Sequence, residues 1–151
     1  MGRLQYLDVT RLVILSTATF SWWSSIQGMA FPKYFWDMIG GRLGPTGWIP
    51  PPQAQVFVSL IVDFPAIQIF NLVTGFMVLA YEWPLPFIKD TAFYRSYIPR
   101  FLCYTLLSFT NFLVYQSVDA GFFYFGVILL YLKAISRGET VGGKPKAASP
   151  A

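Results

Sequence analysis

Apolar positions in this chain run together in long stretches instead of alternating or recurring on one helix face. Leu12 to Phe31 is 20 residues without a charge, and Ala54 to Tyr81 is a second run interrupted by Asp63 and Pro65. Two more runs, Phe101 to Val118 and Ala120 to Leu132, have only Asp119 between them. Arg95 and Arg100 fence them on one side, Lys133 and Arg137 on the other. A helix rising about 1.5 Å per residue needs roughly 20 residues to cross about 30 Å of hydrocarbon. The pattern therefore predicts an all-α polytopic membrane protein, a four-transmembrane-helix bundle with spans at about 12–31, 64–81, 100–117 and 119–135. The last two form a helical hairpin with both open ends on one side.

Composition agrees with the runs. The chain is 55% hydrophobic, 19% aromatic and 12% charged, whereas a soluble domain carries about 25% charged residues. Four spans leave room for one domain, 1–139, with an interfacial loop over 32–53. The tail over 140–151 is rich in Gly, Ala, Lys and Pro, has nothing to bury, and is expected to be disordered. The loop holds Phe35, Trp36, Gly40-Gly41 and Pro50-Pro51-Pro52, aromatics suited to the headgroup level followed by an extended lead into the next helix.

Charge sets orientation. Lys and Arg beside short loops are retained in the cytoplasm. Arg3, Arg11, Lys89, Arg95, Arg100, Lys133, Arg137, Lys144 and Lys146 share one side, against Lys33 and Arg42 on the other. Both termini are thus predicted to be cytoplasmic. The net charge of +4 is a topology signal; it does not point to nucleic acid, and the expected surroundings are a lipid bilayer. The first run lacks the short apolar centre and small-residue cleavage site of a secretory signal. Tyr6 stands where a myristoylation pattern needs Ser or Thr.

Candidate chemistry is sparse. The chain has no histidine, the usual haem ligand and the commonest metal ligand. Its one cysteine, Cys103, falls inside a span and reads as a small hydrophobe. No catalytic, cofactor-binding or metal-binding residues are predicted. Asp63 is an ionisable residue inside an apolar run and has two readings. It is the coupling carboxylate of a small proton-coupled transporter, or, because Pro65 follows it, the cap of a helix that starts there, leaving Val56 to Val62 shallower; the cap is favoured. Asn71 and Asn111 are intramembrane amides suited to interhelical hydrogen bonds. Gly121 and Gly126 offer a flat face, either for this bundle's own packing or for a partner seam. Glu82 and Arg100 lie at one interface, as an ion pair or as separate solvated side chains. Between Arg100 and Lys133 lie 32 residues, so each hairpin arm spans roughly 22 to 24 Å, short even for a bilayer of about 27 Å. Packing against a larger membrane partner would relieve that mismatch.

A family pattern then emerges from the order of short motifs. Glu82-Trp83-Pro84 follows one span, Arg95-Ser96-Tyr97-Ile98-Pro99-Arg100 opens the next, and Leu106-Leu107-Ser108 lies within it. Tyr131-Leu132, Ala134 and Arg137-Gly138-Glu139 close the fourth. With the opening Met1-Gly2-Arg3-Leu4-Gln5-Tyr6, these resemble the small membrane subunit of NADPH oxidases, the phagocyte oxidase light-chain type. The chain is most similar to the fungal NoxD-type counterpart, which shares the Phe35-Trp36-Asp37 loop with Gly40-Gly41. The resemblance implies a non-enzymatic subunit that binds and stabilises a catalytic chain in a heterodimer. That partner would carry haem, FAD and NADPH and make superoxide, and this chain would hold no cofactor. It also implies residence in the endoplasmic reticulum, with plasma and vacuolar membranes as further locations. Glu82, Pro84, Arg95, Tyr97, Arg100, Tyr104, Tyr131, Arg137, Gly138 and Glu139 become the expected assembly residues, beside Gly121 and Gly126. Two departures stand out. The tail lacks the proline-rich SH3 ligand of the animal light chain, and Tyr104 replaces a histidine in the third span. A third reading is an endoplasmic-reticulum scaffold for another membrane enzyme.

Overall fold

The computed structural model describes residues 5–34, 51–83, 94 and 96–140. Pro84 and Arg95, most of the first loop and the tail beyond 140 lie outside the described residues. Among the described residues the fold is all-helical, with one isolated antiparallel bridge pairing Tyr34 with Val114.

Helix α1, Tyr6–Ala30, buries Thr10, Ile14, Thr17, Ala18, Ser21, Ser24, Ser25 and Gly28. These recur at three- and four-residue steps, one stripe of a 3.6-residue helix. Nearly all are small, so neighbouring backbones approach closely. A Cβ added at Gly75 would sit 3.4 Å from the Ala18 carbonyl oxygen. Apart from Ser21, the hydroxyls along α1 are satisfied within the helix: Thr10 donates to the Tyr6 carbonyl at 2.7 Å and Thr17 to Val13 at 2.7 Å. Their polarity is thereby masked without breaking the i to i−4 ladder.

The second apolar run is broken. Helix α2, Gln55–Val58, continues as a wide turn over Ser59–Asp63, and the chain restarts as α3, Ala66–Glu82. The two parts meet at 70°. Proline causes the break: Phe64, the residue before Pro65, is extended at φ −135°, as its neighbour's ring requires. That geometry overturns the expected Asp63 cap. Pro65 occupies the cap position of α3 without a side-chain bond, and the extended Phe64 carries Asp63 away from the first turn. Asp63 is exposed and accepts a 2.6 Å hydrogen bond from the Ser59 hydroxyl.

The predicted hairpin forms with a different turn. Helix α4, Tyr97–Phe112, stops five residues early, and α5, Val118–Ser136, follows a short 3-10 turn at Tyr115–Ser117. Val114 leaves the helix to bridge Tyr34, and the Tyr115 N–H donates to the Lys33 carbonyl at 3.2 Å. The end of the first loop thus decides where α4 ends. Asp119, the charge between the two apolar runs, lies in the first turn of α5, where negative charge complements the helix dipole. Pro99 falls in the first turn of α4, where its missing N–H would have had no intrahelical partner.

Helix α1 packs against α3 and α5, α4 packs against α5, and α3 and α4 touch only lightly. Of the four predicted spans, one is long and apolar enough to cross a membrane among the described residues: Tyr115–Ser136, the 3-10 turn and α5 together. Pro52–Asp63 with Ala66–Glu82 reaches that standard only as a bent pair. Helices α3 and α4 have 17 and 16 residues, and α1 is diluted by its hydroxyls.

Polarity is inverted relative to a water-soluble bundle. Gln68, Asn71, Glu82, Arg100 and Asn111 are buried, whereas Phe76, Met77, Leu102, Phe109, Phe122, Phe123, Leu129 and Leu132 are exposed.

A buried charge and tyrosine cluster as the candidate functional site

The last turn of α3, the first turn of α4 and the last turns of α5 converge at one end of the bundle. Glu82 and Arg100 meet there as a buried ion pair, 2% and 3% exposed. Each is on its helix's core stripe: Glu82 lies seven residues, two turns, after Gly75, and Arg100 lies one turn before Tyr104. The sequence left the pair open between contact and separation, and the structure brings the two together.

The charges are closed in on all sides. The Tyr104 hydroxyl donates to Glu82 Oε1 at 2.7 Å, and Tyr131 accepts from Arg100 Nη1 at 3.0 Å while its hydroxyl lies 3.5 Å from the same carboxylate oxygen. Arg100 also donates from Nε and Nη2 to the Tyr94 carbonyl at 3.3 and 3.1 Å. The rings of Tyr81 and Tyr94 cover the guanidinium at 4.6 and 4.8 Å, an attraction that strengthens where water is absent. The Tyr104 ring stacks between those of Tyr124 and Tyr131, with centroids 5.9 and 5.8 Å away. A buried pair is tolerated only when the remaining lone pairs and protons are bonded, and here tyrosines do that.

A second group ties the chain ends together. The end of α5 closes on a Schellman turn: the Gly138 N–H donates to the Ile135 carbonyl at 2.9 Å and the Glu139 N–H to Ala134 at 3.1 Å. Gly138 holds φ +66°, which a side chain would strain. The turn aims Glu139 at the start of α1, where its carboxylate accepts the Tyr6 and Leu7 N–H groups at 3.1 and 2.9 Å. Gln5 supplies no cap there, so Glu139 satisfies two donors that the helix cannot. The Tyr97 hydroxyl donates to the Glu139 carbonyl at 2.6 Å, and the Arg137 guanidinium lies 5.0 Å from the Tyr6 ring centre. Burial, and then the neighbouring Glu139 charge, push the Tyr97 phenol above its ordinary value, with Arg100 pulling the other way. Arg11 Nε donates to the Glu82 carbonyl at 2.9 Å, linking this group to the ion pair.

Glu82, Tyr97, Arg100, Tyr104, Tyr131, Arg137, Gly138 and Glu139 therefore share one end of the bundle. The two glycines separate. Gly121 is spent internally: a Cβ there would meet Phe112 Cγ at 2.9 Å, and its carbonyl accepts from the Ser108 hydroxyl at 2.9 Å. Nothing lies within 4 Å of a Cβ added at Gly126, so that notch is open. Asn111 and Asn71 sit deeper, accepting from Ser21 at 2.8 Å and from Thr110 at 2.7 Å. Asp63 is apart from all of these, exposed beside the bend.

A family profile, Domain of unknown function (DUF7727), matches residues 1–139. The chain belongs to this family. The matched stretch of the DUF7727 protein takes in every helix described above and ends at Glu139, the residue that clamps the two ends of the bundle together. No curated protein and no solved structure matches the chain.

Sequence reasoning missed Tyr124, Ser21, Thr110 and Arg11, and it missed the Tyr94 carbonyl. The signal for Tyr124 was present, since Tyr124 and Tyr131 are seven residues apart and share a helix face. Arg11 had been weighed only as a topology cation. Backbone acceptors such as the Tyr94 carbonyl leave no residue-type signal.

Proposed function

We propose that this DUF7727 protein is a non-catalytic four-helix membrane subunit, with both termini cytoplasmic, that binds and stabilises the haem- and flavin-bearing catalytic chain of an NADPH oxidase. Its activity is assembly: it supports superoxide production without carrying the reacting groups. The expected setting is a fungal endoplasmic reticulum, with haem, FAD and NADPH on the partner.

One observation carries the reading. Five of the described residues that bear the resemblance to the oxidase light chain, Glu82, Arg100, Tyr131, Tyr97 and Glu139, are joined one to the next by direct contacts at one end of the bundle. They are scattered over more than fifty positions of sequence, and a chance resemblance would not be expected to select a contact network. Membrane embedding is supported by the inverted polarity, because an exposed apolar surface wider than a few hundred Å² is rare on soluble monomers. It is also supported by Ser16, Thr17 and Thr19 of α1, whose hydroxyls bond within their own helix as hydrocarbon demands. The transporter reading is the less favoured one, since Asp63 is exposed beside the bend and bonded to the Ser59 hydroxyl.

Purification in mild detergent tests the proposal. The chain is expected to bring down a larger polypeptide with b-type haem absorption bands and NADPH-dependent superoxide output. A clean preparation associated only with a haem-free enzyme would refute it and favour a general scaffold. Proton or substrate flux in vesicles holding this chain alone would favour the transporter.

A further inference from the structure

The lightly packed seam between α3 and α4 opens as a groove of about 210 Å³. Thr74, Met77 and Tyr81 line it from α3, and Pro99, Cys103 and Tyr104 from α4, with Arg100 at one end.

We infer that this groove seats a single hydrocarbon chain of a bilayer phospholipid, an inference that rests on the membrane reading above. The volume does not enclose a helix, which is about 10–12 Å across with its side chains, so a second protein chain would have to lie across the groove and not within it. A cavity of about 150 Å³ holds a benzene-sized guest, so this volume suits a short stretch of one acyl chain. Charge complementarity points the same way. Arg100 is neutralised by Glu82, its other donors go to Tyr131 and the Tyr94 carbonyl, and its faces are covered by two rings. The Thr74 hydroxyl donates to the Phe70 carbonyl at 2.6 Å. The groove offers a neutral wall, so the occupant is the chain of the lipid, and headgroup charge is not selected.

Native mass spectrometry of the full chain, released from vesicles of equal phosphatidylcholine and phosphatidylserine, provides the test. One phospholipid per chain is expected to survive washing, with the two headgroups equally represented. Filling the groove by Cys103→Trp, or by Met77→Trp if the first variant loses helicity, should lower the retained lipid about tenfold. Leu129→Trp on the outward face of α5 should leave it unchanged. Equal retention in the groove variants and the parent would overturn the inference, as would strong selection of phosphatidylserine. Cys103, the chain's one cysteine, tests the other occupants. Disulfide-linked homodimers on oxidation in the parent membrane would assign the groove to a second copy. Protection from maleimide that appears only with the haem-bearing chain bound would assign it to that partner. Either result overturns the inference. Alkaline extraction of the same membranes separates the two failures: release of the chain defeats the membrane reading, while a chain that stays without retained lipid defeats only the groove.

Discussion

Replacing Arg100 by Leu should be among the most damaging single substitutions in the molecule. It removes the cation from a carboxylate that is 2% exposed, so water cannot take the cation's place. The Tyr104 hydroxyl, at 2.7 Å, remains the nearest donor to Glu82. Stripping one partner from a buried pair costs about 3–5 kcal/mol, and at about 1.4 kcal/mol per decade the folding equilibrium constant falls by roughly a hundredfold or more. The loss belongs to the orphaned charge, not to the absent bond, because replacing both members of such a pair by uncharged groups is often neutral. Adding Glu82→Gln to Arg100→Leu should therefore recover most of the stability, since the amide oxygen can still accept from Tyr104. The measurement is the unfolding midpoint in mild detergent for both single variants and the double variant. A single variant within about 0.5 kcal/mol of the parent, the range of ordinary surface changes, would refute the burial argument. A double variant no better than Arg100→Leu would show that packing of the arginine, not charge, was at stake.

The remaining predictions concern the clamp and the glycines. Glu139→Ala should destabilise by about 1 kcal/mol, the value of a helix cap, with faster hydrogen exchange confined to the first turn of α1. Gly138→Ala strains the φ +66° turn that aims Glu139 and should reproduce that exchange pattern; an unchanged α1 terminus in either variant would count against the clamp. Because the Tyr97 pKa is raised in the folded chain, the stability difference between the parent and Tyr97→Phe should be constant up to about pH 10 and shrink as pH rises through the raised value. A difference that vanished near neutral pH would contradict the sign. Gly121→Ala forces a Cβ against Phe112 and should destabilise by about 1–3 kcal/mol. Gly126→Ala has open space and should be neutral or gain up to about 1 kcal/mol from helix propensity. Equal effects at the two glycines would undo the assignment of one to the core and the other to the surface.

The difference between those glycines shows how far the sequence reaches. Both lie in one helix five residues apart, and residue type alone offers each the same two readings. What separates them is Phe112, brought over Gly121 by a turn that the sequence placed between about 117 and 119. The turn sits earlier because Val114 leaves α4 to pair with Tyr34, from a different part of the chain. Helix existence was legible because it depends on local apolar runs; helix ends were not, because here they depend on such distant contacts. Asp63 failed for a local reason that was present but misweighed: Pro65 signals a helix start, yet the same ring forces Phe64 to be extended and removes Asp63 from the position a cap requires.

The site divides along the same line. Charge at the end of an apolar run announces itself, so Glu82 and Arg100 stood out, but the groups that make their burial tolerable are tyrosines and a carbonyl from four different segments. That division bears on how the bundle end works. The ion pair joins α3 to α4, helices in only light contact, while Glu139 joins the end of α5 to the start of α1, helices that also pack along their lengths. The pair, with the Thr110–Asn71 hydrogen bond deeper in, is therefore the polar link across the weak seam, and the clamp is a reinforcement of a strong one. Loss of the clamp should fray one helix terminus and leave the bundle assembled. Loss of one charge of the pair should open the α3–α4 seam itself, widening the groove whose end Arg100 closes.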